Sequence, residues 1–66
     1  MKRGDIVEVI KTGSFANAGT LGWFGTIQEF YIEYSKGFAL VRMQGEHTLR
    51  LYSEEDLVVI KTGVTE

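Results

Sequence analysis

Short stretches rich in β-branched and aromatic residues, separated by glycine-rich or polar segments, run the length of this chain and predict β-strands. The first stretch, Asp5 to Lys11, puts Val7 and Val9 on one face and leaves Ile6 and Ile10 as partial cover on the other. Four further strands are predicted at Trp23 to Ile32, Phe38 to Gln44, His47 to Tyr52 and Leu57 to Lys61. The pattern therefore predicts an all-β fold.

The segments between these strands carry turn and loop residues. Thr12 to Gly22 is rich in glycine and small polar residues and predicts a loop. Gly25, inside the second strand, predicts a bend or bulge. Turns are predicted at Tyr34 to Gly37 and around Gly45. Ser53 followed by three acidic residues predicts one short 3-10 turn before the last strand, because acidic side chains suit the start of a helix.

Five strands with a bend in the second and one helical turn before the fifth predict a small SH3-like barrel. Many such barrels share the segments Gly4-Asp5-x-Val7, Gly25-Thr26-Ile27 and Asp56-Leu57. The length of 66 residues allows one domain, so residues 1–66 are predicted to form a single barrel. We expect Thr62 to Glu66 to fray at its end.

The small core of such a domain needs support from elsewhere. A domain of this size buries only about 60% of the surface of its unfolded chain. The chain has no cysteine and a single histidine, His47, which excludes disulfides and thiolate metal sites, and no metal site is predicted. Association into a homo-oligomer is the remaining support, and eight aromatic residues supply surface for it.

The charge balance bears on the choice of partner. The formal net charge is −2, whereas a general grip on phosphate backbones needs a clustered basic field, so nucleic acid is the less favoured partner. No apolar run reaches the length of a membrane span, and Met1 to Asp5 lacks the apolar segment of a secretory signal. The sequence predicts a cytoplasmic protein with no membrane association.

The third and fourth strands form the predicted functional face. With Ala39, Val41 and Met43 inward, a turn centred on Glu46 also turns Leu49 and Leu51 inward. This register places Arg42 opposite Arg50 and Leu40 opposite Tyr52 on the outer side, with Phe38 beside them. Facing like charges destabilise a sheet unless an anion neutralises them.

Two interpretations of this face stay open. The arginines could splay into water, or the face could bind a protein partner or a small anionic ligand, because arginine and aromatic residues are enriched at interfaces. Trp23 and Phe24 are adjacent in a strand, so one of them is expected in the core and the other at the surface. The predicted binding residues are Trp23, Phe24, Phe38, Leu40, Arg42, Arg50 and Tyr52.

Catalytic chemistry has little support in the residues themselves. His47 has no nucleophile or second ligand near it in the sequence and is expected to be solvated. No nucleophile stands at motif spacing from a base, and the glycines form no dinucleotide fingerprint because no helix follows them. From the residues, we predict no catalytic site and no cofactor.

A resemblance to a known family favours an enzyme instead. The pattern Gly4-Asp5-x-Val7, Trp23-x-Gly25-x-Ile27, Gly37-Phe38-Ala39-Leu40 and Leu51-Tyr52 resembles the plasmid-borne type II dihydrofolate reductases over residues 4 to 60. That resemblance implies a ring of four barrels whose central pore holds folate and NADPH. It implies site residues at Lys11, Arg50, Leu51 and Tyr52, with Arg50 standing where the family has glutamine.

Shorter, more generic segments resemble KOW modules and the small photosystem I subunit with this barrel. The KOW resemblance implies nucleic-acid binding. The sequence thus favours a binding module that is not an enzyme, with an NADPH-dependent dihydrofolate reductase as the alternative and nucleic-acid binding third.

Overall fold

The computed structural model describes residues 1–12 and 19–63, which form five strands and one 3-10 turn. These are β1 (Ile6–Val9), β2 (Phe24–Glu33), β3 (Lys36–Met43), β4 (Leu49–Ser53), the 3-10 turn Glu54–Asp56 and β5 (Leu57–Lys61). All paired strands are antiparallel, in the order β4-β3-β2-β1-β5. The predicted all-β class is confirmed, and the strand order is compatible with a small SH3-like barrel. The described part of the chain contains no helix with the length and hydrophobicity that a membrane crossing requires.

The core is built by alternation along the strands. In β1, Val7 and Val9 are buried, and in β3, Ala39, Val41 and Met43 are buried, as the sequence predicts. Ile27 of β2, Tyr52 of β4 and Leu57 of β5 complete the buried apolar set. Each fully buried side chain of this kind contributes about 1.5–3 kcal/mol relative to an exposed one.

The irregularity predicted at Gly25 of β2 lies further along the strand. The pairing of β2 with β3 shifts between Ile27 and Glu29, which leaves Gln28 as the extra residue. Gly25 instead pairs regularly with Met43, and a Cβ there would lie 2.5 Å from Cγ1 of Val41. Gly25 is therefore required by close packing over the core rather than by a bend.

The β2–β3 hairpin turns more tightly than predicted. Glu33 pairs with Lys36, so the loop consists of Tyr34 and Ser35 alone. Both loop residues have positive φ, 53° and 66°, which matches the type I′ turn that suits the twist of a hairpin. Bulky residues rarely adopt this conformation, and the Tyr34 side chain is 92% exposed.

The register of β4 differs from the prediction by one residue. Val41 lies opposite Arg50, and Leu40 lies opposite Leu51. Because neighbouring side chains point to opposite faces, this single step turns Leu49 and Leu51 outward and Arg50 and Tyr52 to the core side. The predicted opposition of Arg42 and Arg50 is wrong.

The connection between β3 and β4 begins with a β-turn. The Glu46 amide donates to the Met43 carbonyl at 3.0 Å, which closes a β-turn, and Gly45 takes φ +86° at its third position. Arg42 pairs with Leu49, so the β3–β4 connection is centred between Gly45 and Glu46, one half-residue earlier than predicted. Tyr52 then reaches the interior, where its hydroxyl has a buried hydrogen-bond partner.

A buried carboxylate joins the two ends of the described chain. Asp5 is only 3% exposed, and its oxygens accept hydrogen bonds from the amide of Gly63 at 2.8 Å and of Lys2 at 3.0 Å. The Gly63 hydrogen bond is the main cause that lowers the pKa of Asp5, against the opposing effect of burial. Gly63 is thus held against β1, while residues 64–66 lie outside the described residues, as do residues 13–18 of the predicted loop.

Candidate functional site

The outward side of β2, β3 and β4 is an apolar surface. We define this outer face by the apolar residues Tyr31, Phe38, Leu40, Leu49 and Leu51, together with the charged residues Glu29 and Arg42. Across the strands, Tyr31 pairs with Phe38, Leu40 with Leu51, and Arg42 with Leu49. The shifted register makes this face more apolar than predicted, because two leucines replace Arg50 and Tyr52.

An aromatic pair forms one end of the outer face. The rings of Tyr31 and Phe38 are stacked, with centroids 5.6 Å apart and planes inclined by 28°. Such pairs contribute about 0.5–1.5 kcal/mol beyond their buried area, which favours this arrangement of the two rings. Tyr31 is not among the binding residues predicted from the sequence; its cross-strand position opposite Phe38 is the signal that identifies it.

Arg42 marks the other end of the outer face. It is exposed beside Leu49 and Thr26, and its guanidinium makes no ion pair or hydrogen bond within the described residues. An exposed cation next to apolar side chains is typical of surfaces that meet a partner.

Arg50 lies on the opposite side of the sheet and is fully engaged. Its Nε donates to Oε1 of Glu46 at 2.9 Å, and a terminal nitrogen donates to Oε2 at 3.0 Å. Its guanidinium also lies over the Trp23 ring, 5.8 Å from the centroid. These hydrogen bonds lower the pKa of Glu46 and raise that of Arg50. Arg50 therefore lies on the core side of the sheet with Glu46 and Trp23, and it is not on the outer face.

Trp23 and Phe24 are both at the surface, 41% and 45% exposed. The expectation that one of them fills the core is wrong, because Gly25 occupies the core-facing position at the start of β2. Trp23 precedes the strand and covers Arg50, whereas Phe24 pairs with Glu8 of β1 on the outward side.

Tyr52 is in the core rather than on the outer face. It is 1% exposed, and its hydroxyl lies 2.7 Å from Oγ1 of Thr20, with which it shares a hydrogen bond. The prediction of Tyr52 as an exposed anchor is therefore wrong. The bond ties the end of the long loop to β4 and leaves the Tyr52 hydroxyl inside the protein.

The residues implied by the reductase resemblance do not converge. Lys11 is exposed just beyond β1, where its amide donates to the Asp56 carbonyl. Leu51 faces outward and Tyr52 inward, and the Arg50 guanidinium is held by Glu46. Within one chain, these four side chains form no common surface on which folate and NADPH could lie.

A groove of about 370 Å³ adjoins the Arg42 end of the outer face. It lies between the first residues of β2 and the β3–β4 turn, with Ile6, Phe24 and Met43 as apolar walls. Its polar lining includes Thr26, Arg42, Gln44 and Glu46. Sequence reasoning missed this groove because it depends on how the β3–β4 turn lies beside the start of β2, which the strand pattern does not define.

The described ranges hold no cluster of metal-ligating side chains. No group of three or more histidine or acidic side chains within residues 1–12 and 19–63 could hold a metal ion. His47 is exposed in the β3–β4 turn. A scan against protein-family models and searches of curated proteins and of solved structures find no match to this chain.

Proposed function

We propose that this protein is a non-enzymatic binding module whose outer face docks a protein partner, and that a second copy of the chain is the first such partner. The observation that carries this proposal is the apolar outer face itself, in which an aromatic pair and three leucines lie side by side with a single arginine. Aromatic residues and arginine are enriched where proteins meet.

The size of the chain supports a second copy as the occupant. The protein exposes 4421 Å² in total, and a standard interface takes about 800 Å² from each partner, roughly a fifth of this surface. The outer face spans three of the five strands of the described chain. The chain also has no cysteine to staple its small core, so burial against a partner would add stability.

The charges of the outer face favour an interface between two copies of this face. Glu29 and Arg42 flank Leu40, and neither side chain has an ion-pair partner within the described part of the chain. In a two-fold interface the same patch meets itself, so Arg42 of one copy could meet Glu29 of the other. A partner surface that carries only one sign of charge would leave either Glu29 or Arg42 without an ion-pair partner.

Sedimentation equilibrium of matched variants tests this proposal. Leu49 and Ile60 have similar exposure, 47% and 50%, but Leu49 is on the outer face and Ile60 is on the edge strand β5. Leu49→Lys should weaken self-association at least about tenfold by burying a charge, whereas Ile60→Lys should leave it unchanged. A monomeric wild type at several hundred micromolar, or equal effects of the two variants, would contradict the proposal.

A further inference from the structure

The groove beside the outer face has a charge distribution suited to a particular ligand group. Its charged lining residues are Arg42 and Glu46. Both oxygens of Glu46 are occupied by Arg50, which neutralises that carboxylate. Arg42 has no counter-charge within the described residues, so the groove offers one unpaired guanidinium.

The walls of the groove are as informative as its charge. Ile6 and Phe24 supply apolar surface next to Arg42, and Phe24 is a large side chain left 45% exposed. An apolar wall lowers the local dielectric, which strengthens a hydrogen-bonded ion pair formed there. A ligand that satisfies both features has an anionic head and an apolar body.

We infer that this groove is a binding site for a small carboxylic acid with an aromatic or aliphatic body. The planar Arg42 guanidinium receives the carboxylate through two parallel hydrogen bonds, and the body of the ligand lies against Phe24 and Ile6. The inference rests on the proposed binding function and extends it to a small-molecule ligand of the single chain, because Arg42 cannot hold this ligand and Glu29 of a second copy at once.

A carboxylate fits the groove better than a more highly charged group. One guanidinium neutralises one negative charge, so a phosphate monoester would keep excess negative charge in the groove. The volume of about 370 Å³ lies at the lower end of the range for ligand pockets. A ligand of roughly ten non-hydrogen atoms is therefore expected to bind with a Kd in the millimolar range.

Titration of the ¹⁵N-labelled full chain with 3-phenylpropionate tests the site, and 3-phenylpropanamide is the matched neutral probe. The acid should shift the Arg42 Nε resonance and the amides of Phe24 and Gly45, and it should bind about tenfold or more tightly than the amide. Acetate, which has the head but no apolar body, should bind more weakly than 3-phenylpropionate. Equal binding of acid and amide, or no shift at Arg42, would overturn the inference.

Two variants complete this test. Arg42→Gln should weaken binding of 3-phenylpropionate about tenfold or more, while Lys36→Gln, at the other end of β3, should leave it unchanged. Retained binding in Arg42→Gln would overturn the inference. Failure here would not alter the sedimentation of wild type or of Leu49→Lys, so this inference and the self-association proposal fail independently.

Discussion

The two arginines of the β3–β4 hairpin show what distinguishes the two sides of this sheet. Arg50, on the core side, is held by both oxygens of Glu46 and covered by Trp23. Arg42, on the outer side, is exposed among apolar side chains with no partner within the described residues. The same residue type thus completes the fold on one side and remains available to a partner on the other.

The test with the largest expected effect compares Tyr52 and Leu51, which are adjacent residues on opposite sides of β4. Tyr52→Ala removes the largest fully buried side chain and should cost about 3–5 kcal/mol, close to the whole stability of a small domain. Leu51→Ala, on the outer face, should cost less than about 2 kcal/mol because Leu51 is only half-buried. Urea denaturation at low protein concentration measures both, and equal losses would contradict the register.

The arginines themselves give the next test. At a protein concentration where the chain is monomeric, Arg50→Gln should lower the Tm, because it breaks the contacts with Glu46 and Trp23, whereas Arg42→Gln should leave the Tm unchanged. The loss in Arg50→Gln should shrink at high salt, since the ion pair is partly exposed and therefore screened. A greater loss of Tm in Arg42→Gln would reverse the assigned roles.

The pH dependence sharpens the role of Arg50. The folded-state pKa values of Asp5 and Glu46 lie below their ordinary values of 3.8 and 4.5. Both groups therefore add stability above their unfolded pKa values, and this stability is lost as the pH falls through the folded ones. In Arg50→Gln the pKa of Glu46 should return to its ordinary value while that of Asp5 stays low. Carboxyl ¹³C chemical shifts report each group separately, and an unmoved Glu46 pKa would contradict the pairing.

The smallest expected effect separates stability from association. Tyr34 has a positive φ in a type I′ turn that favours asparagine, so Tyr34→Asn should raise stability by about 0.5–1 kcal/mol. Because the turn lies outside the outer face, self-association should not change. Thermal unfolding and sedimentation on the same sample check both statements, and weakened association would place Tyr34 in the interface.

Alternation along the chain is sufficient to predict much of this fold. Val7, Val9, Ala39, Val41 and Met43 are buried as their spacing requires, and β5 has its predicted bounds. These features depend on local chemistry, namely β-branched and apolar residues with a period of two. These buried positions and strand bounds do not depend on which strand is the pairing partner.

The functional side was harder to predict because it depends on register. Leu49, Arg50, Leu51 and Tyr52 alternate in size and polarity in a way that fits either face, so the sequence of β4 does not select one. The pairing of Arg42 with Leu49, after a β-turn with Gly45 at positive φ, defines the register in the structure. A shift of one residue exchanges the side chains that face inward with those that face outward, and in the observed register Tyr52 lies in the core.

The most direct test of the outer face is a dilution series of ¹H–¹⁵N spectra of the wild-type protein. If the outer face is the interface, concentration-dependent shifts should concentrate at Tyr31, Leu40, Leu49 and Leu51. The exposed apolar residues Ile10, Val58 and Ile60 lie away from this face and should not shift. Spectra that do not change with concentration, or shifts concentrated at Ile10, Val58 and Ile60, would contradict the account.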